Sequence, residues 1–226
     1  MIQQRFCLAE YARPLFSDRV AMGWADPTAP MPRLMGDEVL AIEQVSAKRA
    51  REFAAGRAAA RSAMDQLGHV ARPVLHGDDR APIWPAGLAG SITHTDHDAL
   101  AVVTDDPDIL ALGLDMEPAT ALEPNLWSVI CTQNDLLWLA GLGPTQRGNF
   151  ARLVFSAKEA VYKAQYQISR CLIDFHALDL TPDLATGRFV AQLQQDVPNL
   201  PCGTRFDGRF SILSNMIITA VEIRHK

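Results

Sequence analysis

With 226 residues, 48% of them hydrophobic, and a net charge of −5 at neutral pH, the chain can bury a substantial core, as one large domain or two packed halves. No apolar run reaches membrane-spanning length, and the opening MIQQRFCLAE lacks the basic and apolar regions of a signal peptide, so a cytoplasmic location is expected. Cys7, Cys131, Cys171 and Cys202 are widely spaced without a CxxC pair, which argues against a zinc site or disulfide scaffold, and 26 acidic against 21 basic residues argue against nucleic acid.

In chain order, a polar, proline-bearing opening to Gly36 precedes a helical region from Asp37 to Leu67. Its run KRAREFAAGRAAAR places Lys48, Arg49, Arg51, Arg57 and Arg61 on polar faces opposite Phe53, Ala60, Met64 and Leu67, with Gly68 as the C-terminal cap. Turns rich in Gly, Asp and Pro lead to strands at 91–95, 99–104 and 109–115. A helix is expected from Asn125 to Leu139, then a turn at Gly141, Gly143 and Pro144, and a second helix from Asn149 to Arg170. Strands follow at 174–180, 188–193, 204–213 and 216–223.

Two segments carry the chemistry. In GLDME, Gly113 to Glu117, strand alternation sends Asp115 and Glu117 to one face. In FSAKEAVYK, Phe155 to Lys163, Ser156 can cap a helix, and Glu159 and Lys163 fall four apart on one helical face. Three carboxylates and an ammonium suit a hard divalent cation beside phosphate oxygens. The bland reading is a capping box from Ser156 to Glu159, with Glu159 and Lys163 as a surface pair contributing roughly 0.2–0.5 kcal/mol.

SITHT at 91–95, GLDME and FSAKEAVYK together resemble the 4′-phosphopantetheinyl transferases in order and spacing. KRAREFAAGRAAAR and DRAPIWPAGLAGS, 79–91, resemble the siderophore-associated, enterobactin synthase component branch. The resemblance implies an α+β fold of two similar halves related by a pseudo-twofold, 1–108 and 109–226, with the active site in the cleft between them. It implies transfer of 4′-phosphopantetheine from coenzyme A to a serine of an apo acyl, peptidyl or aryl carrier protein, releasing adenosine 3′,5′-bisphosphate, by a monomer without a membrane partner.

By the same resemblance Asp115, Glu117 and Glu159 hold Mg²⁺, Glu159 is the candidate to take the serine proton, and Lys163 steadies the reacting phosphate. Arg49, Arg57, Ser91, Thr93, His94, Asp115, Lys158 and Lys163 face coenzyme A. His76 stands where several relatives carry a lysine, so its phosphate contact is expected to be weaker and pH dependent. An acidic carrier helix is expected to meet a basic surface near Arg147 and Arg152. Two other readings are a phosphohydrolase using His94, Asp96, His97 and Asp98 in HTDHD, and a non-catalytic carrier-binding module.

Overall fold

The computed structural model describes residues 7–225, with the side chain of Cys7 outside that description, and is an α+β chain that separates into two compact units. Among the described residues, one unit runs from Cys7 to Leu112 with His225, and the other is Gly113–Arg224. The division falls inside a strand rather than in a linker. Among the described residues no helix is long and apolar enough to cross a membrane.

In the first unit, α1 (Cys7–Ala12) precedes β1 (Ala21–Ala25), and α2 (Ala47–Gln66) follows a 3₁₀ segment at Gly36–Ile42. Ser46 caps α2 by accepting from the Arg49 amide. At its other end Gly68, at φ +79°, donates to Asp65 O, and His69 donates to Met64 O, the paired closure that a left-handed residue permits. A short hairpin, β2 (Leu75–His76) and β3 (Pro82–Ile83), leads to β4 (Ala89–His94) and β5 (Ala99–Thr104).

The sheet order is β1-β5-β4, antiparallel throughout. The helix lies on it through a core of Ala59, Ala60, Ala63, Met64, Val74, Ala101 and Val103. Contact is close enough that a Cβ on Gly23 would sit 1.9 Å from the carbonyl oxygen of Ala59. β1 lies in the stretch expected to be an irregular opening. Five residues with no alternation carry little strand signal, and pairing with β5 makes them one.

The second unit continues β6 (Ile109–Pro118) into α3 (Pro124–Ile130), α4 (Gln133–Ala140) and α5 (Pro144–Ser169). It closes with β7 (Leu178–Asp183), β8 (Arg188–Leu193), β9 (Arg205–Ile212) and β10 (Met216–Arg224), in the sheet order β6-β10-β9-β8-β7. The single helix expected over 125–139 is divided at Cys131. Thr132 and Asp135 form a reciprocal capping box that starts α4 afresh. α5 begins at Pro144, so Ser156 is a buried mid-helix residue and not a cap. Here too a glycine seats the helix: a Cβ on Gly113 would lie 1.9 Å from the carbonyl oxygen of Ala160.

Candidate active site

In the second unit, β6 and α5 bring the motif residues together. Arg152, Ser156, Glu159 and Lys163 recur at intervals of four, three and four, which lines them along one face of α5. Lys163 Nζ donates to Asp115 Oδ1 at 2.6 Å and to Leu114 O at 3.0 Å. The Ser156 hydroxyl donates to Asp115 Oδ2 at 2.8 Å and lies 2.9 Å from the Thr219 hydroxyl on β10. Asp115 is 5% exposed, and both of its carboxylate oxygens are engaged.

Burial pushes the Glu117 carboxyl above the usual glutamate range, and neighbouring Asp115 adds to it, while Arg152 and Lys163 act in the opposite sense. Burial likewise raises Glu159, partly offset by Lys163 and reinforced by Asp115. Asp115 is thus close enough to influence both glutamates, which is the electrostatic mark of carboxylates held near one another. Arg152 Nη1 donates to Glu117 Oε2 at 3.0 Å. Among the described residues, no three His, Cys, Asp or Glu side chains are turned together in a metal-holding arrangement. Lys163 and Arg152 occupy carboxylate oxygens instead. By chemistry alone, the oxygen donors of Asp115, Glu117 and Glu159, without imidazole or thiolate, are of the kind that a hard divalent cation takes.

Beside Glu159 lies a cavity of about 280 Å³ walled by Tyr162, Leu172, Ile173, Phe175 and the Lys158 side chain. The Lys158 ammonium, however, is not available there. It is fully enclosed and donates to Ile130 O at 2.9 Å, Phe175 O at 2.9 Å and Asp135 Oδ2 at 2.5 Å. Asp135 also accepts from the amides of Thr132 and Leu180. The expectation that Lys158 faces coenzyme A is therefore corrected: its three protons tie α5 to α3, α4 and the segment before β7.

In the first unit, Arg49 Nη1 lies 2.6 Å from His94 Nε2 at the surface. Arg57, by contrast, is buried. Its Nε donates to Val74 O at 2.8 Å and Nη2 to Leu75 O at 3.3 Å, and the guanidinium lies 3.9 Å over the Phe53 ring. Burial lowers its pKa to about 10. Through these contacts Nε and Nη2 strap α2 to the segment entering β2. His76 is exposed, with Nδ1 2.7 Å from Gly77 O and its ring edge-on to Phe53. Ser91 and Thr93 alternate to the side of β4 opposite His94 and are 3% and 5% exposed, so strand geometry separates these hydroxyls from the imidazole they were expected to assist.

The HTDHD side chains are dispersed among different partners: Asp96 to Lys48 at 2.6 Å, Asp98 to Trp24 Nε1 at 2.9 Å, and His94 to Arg49. Nothing here gathers them for hydrolytic metal chemistry. The expected carrier-facing arginines are also engaged. Arg147 donates to Ala140 O and Leu142 O, closing the end of α4, and Arg152 holds Glu117. Sequence reasoning missed Arg152 and Ser156 as partners of the acidic cluster. Their helical spacing from Glu159 was the available signal.

The chain has clear relatives in sequence. Residues 37–104 match the 4′-phosphopantetheinyl transferase N-terminal domain, and residues 111–212 match the 4′-phosphopantetheinyl transferase superfamily. The 4′-phosphopantetheinyl transferase Svp of Streptomyces mobaraensis is 34% identical over 202 residues, covering 87% of this chain and 81% of its own. PptT of Mycobacterium tuberculosis, of the same named activity, is 32% identical over 206 residues, covering 88% and 89%. Enterobactin synthase component D of Salmonella typhimurium is 38% identical over 129 residues, 54% of this chain and 51% of its own. The chain belongs to the 4′-phosphopantetheinyl transferase superfamily and is an enzyme of that class.

Proposed function

We propose that the enzyme moves 4′-phosphopantetheine from coenzyme A to the serine hydroxyl of an apo carrier protein. The observation that carries this reading is the cluster of Asp115, Glu117, Glu159 and Lys163 on β6 and α5 in a chain of this family. In the reaction the serine oxygen forms a bond to the phosphorus bearing the pantetheine arm. The bond from that phosphorus to the bridging oxygen breaks, and adenosine 3′,5′-bisphosphate leaves with the bond's electrons. Positioning and charge neutralisation supply most of the acceleration in such a displacement.

Asp115, Glu117 and Glu159 would hold Mg²⁺, which when bound neutralises charge on the donor's diphosphate. Lys163, already anchored on Asp115, presents its ammonium beside the same oxygens. Glu159 is also the candidate to take the serine proton, directly or through one water. The apolar cavity beside it is of a size to take the extended pantetheine arm. Arg49 and His94 would receive the 3′-phosphate.

The carrier is assigned to siderophore or other nonribosomal peptide synthesis, on the likeness to enterobactin synthase component D, and the site of action to the cytoplasm. Mass spectrometry of a panel of apo carriers incubated with coenzyme A, magnesium and the enzyme tests the proposal. A phosphopantetheine mass increment on a peptidyl or aryl carrier is expected. Release of adenosine 3′,5′-bisphosphate without any carrier would instead mark a hydrolase.

A further inference from the structure

Arg49 and His94 meet in a way that neither residue explains. A guanidinium has no acceptor, so at 2.6 Å it is His94 Nε2 that accepts, and the proton of the neutral ring belongs on Nδ1. Nδ1 faces Glu52 Oε2 at 3.8 Å, and that same oxygen lies 3.4 Å from Arg49 Nη1. The second carboxylate oxygen of Glu52 lies 3.9 Å from Lys48 Nζ. The Glu52 side chain is only 10% exposed, while those of Arg49 and Lys48 are 51% and 60% exposed. One enclosed carboxylate therefore stands behind three groups that point outward. A surface cavity of about 420 Å³, bordered by Lys48, Arg51, Glu52, Asp96 and His97, opens beside this carboxylate.

We propose that Glu52 is the positioning residue of an anion site whose ligand is a phosphate monoester, held by Arg49 and His94. The proposal rests on the transferase reading, in which that monoester is the 3′-phosphate of coenzyme A. Without Glu52, Lys48, Arg49 and a protonated His94 would repel one another. With it, Arg49 is held in place and the imidazole keeps its Nδ1–H toward a carboxylate. On phosphate binding, Arg49 donates to the phosphate oxygens, His94 Nε2 takes a proton from solvent and donates as well, and Glu52 stabilises the imidazolium. Spacing alone reads Lys48, Arg49 and Glu52 as an ordinary helical surface set. The burial of the carboxylate beneath β4's His94 changes that reading.

The test compares coenzyme A with 3′-dephospho-coenzyme A as donors for Glu52→Gln, which keeps the side chain's size and removes its charge. KM for coenzyme A is expected to rise about tenfold, the scale of one charge-assisted contact, with kcat within about twofold and KM for the dephospho donor within about twofold. Calorimetry should show a similar loss in binding adenosine 3′,5′-bisphosphate but not adenosine 5′-monophosphate. Glu52→Asp, which retains the charge, should recover part of the loss. Equal effects on both donors, or none on coenzyme A, would overturn the proposal. If the parent enzyme transferred from neither donor yet preferred the bisphosphate, and Glu52→Gln lost that preference, the function reading would fall and the anion site would stand. Nitrogen-15 NMR of the parent protein gives a second arm that needs no variant. A Nδ1–H ring in the free enzyme that becomes imidazolium with the nucleotide is expected, and a free enzyme with the proton on Nε2 would refute the arrangement.

Discussion

The two long helices are seated alike and differ in where the charges they meet come from. α2 and α5 each press onto an antiparallel sheet across a glycine, Gly23 and Gly113, so close that a methyl group would collide with a helix carbonyl. On α2 the outward groups are cations gathered about a carboxylate, Lys48 and Arg49 about Glu52. On α5 the cations Lys163 and Arg152 hold the carboxylates Asp115 and Glu117. In both units the packed helix thus carries cations that carboxylates hold in place, supplied by α2 itself in one case and by β6 in the other.

The largest effect expected from breaking this contrast is at the acidic cluster. Glu159→Gln should lower kcat for carrier modification by roughly 10³-fold, as removal of a transition-state stabilising group commonly does, measured by mass spectrometry of the carrier. The same change should raise the melting temperature of the metal-free enzyme at neutral pH. Because burial raises the folded-state pKa of Glu159, its stabilising contribution is present below the ordinary glutamate pKa and is lost as pH rises through the folded value. Removing the charge cancels that loss, so the advantage of the variant should shrink toward pH 4. A variant melting below the parent at pH 7.5 would contradict it.

Next in size is the enclosed Lys158–Asp135 pair. Lys158→Met leaves a buried carboxylate without its cation and should cost about 3–5 kcal/mol in urea denaturation. A loss below about 1 kcal/mol would mean that the ammonium is not committed to the structure. The helix seats should respond more evenly. Gly23→Ala and Gly113→Ala should each destabilise by about 3 kcal/mol, the upper part of the usual range for overpacking, since a Cβ at either position meets backbone and not a side chain that can rotate away. Unequal losses would show that one unit yields more readily than the other.

The smallest effect concerns the thiols. Burial pushes the Cys131 thiol up to about 11, whereas Cys202 is exposed. Iodoacetamide at pH 8 should label Cys202 and spare Cys131. The stability that Cys131 contributes is fully present below the ordinary thiol value of about 9 and is lost as pH rises through 11, so Cys131→Ala should flatten the alkaline limb of a melting curve. An unchanged limb would remove the thiol from that account.

Much of the scaffold could be read along the chain. β5 and β8 fall at the expected 99–104 and 188–193, and α2 ends at Gly68 as its composition demands. α5 starts earlier than expected because Pro144 initiates it, and the helix over 125–139 is cut because Thr132 with Asp135 makes a better start than Cys131 makes a continuation. Of the acidic cluster, Asp115, Glu117, Glu159 and Lys163 were all visible as types at a spacing. Their partners Ser156 and Arg152 were taken for a helix cap and a docking surface, because neither role announces which distant carboxylate the side chain will meet.

The sequence by itself determined the family, the two charge-bearing helices and the kinds of donor atom each offers, since these follow from residue type and local period. Only the tertiary structure decided which charges remain available. Lys158 looks as exposed in sequence as Lys163, yet carbonyls brought from α3 and the segment before β7 enclose it. Burial and hydrogen-bond partnership arise from residues remote along the chain, and no local period encodes them.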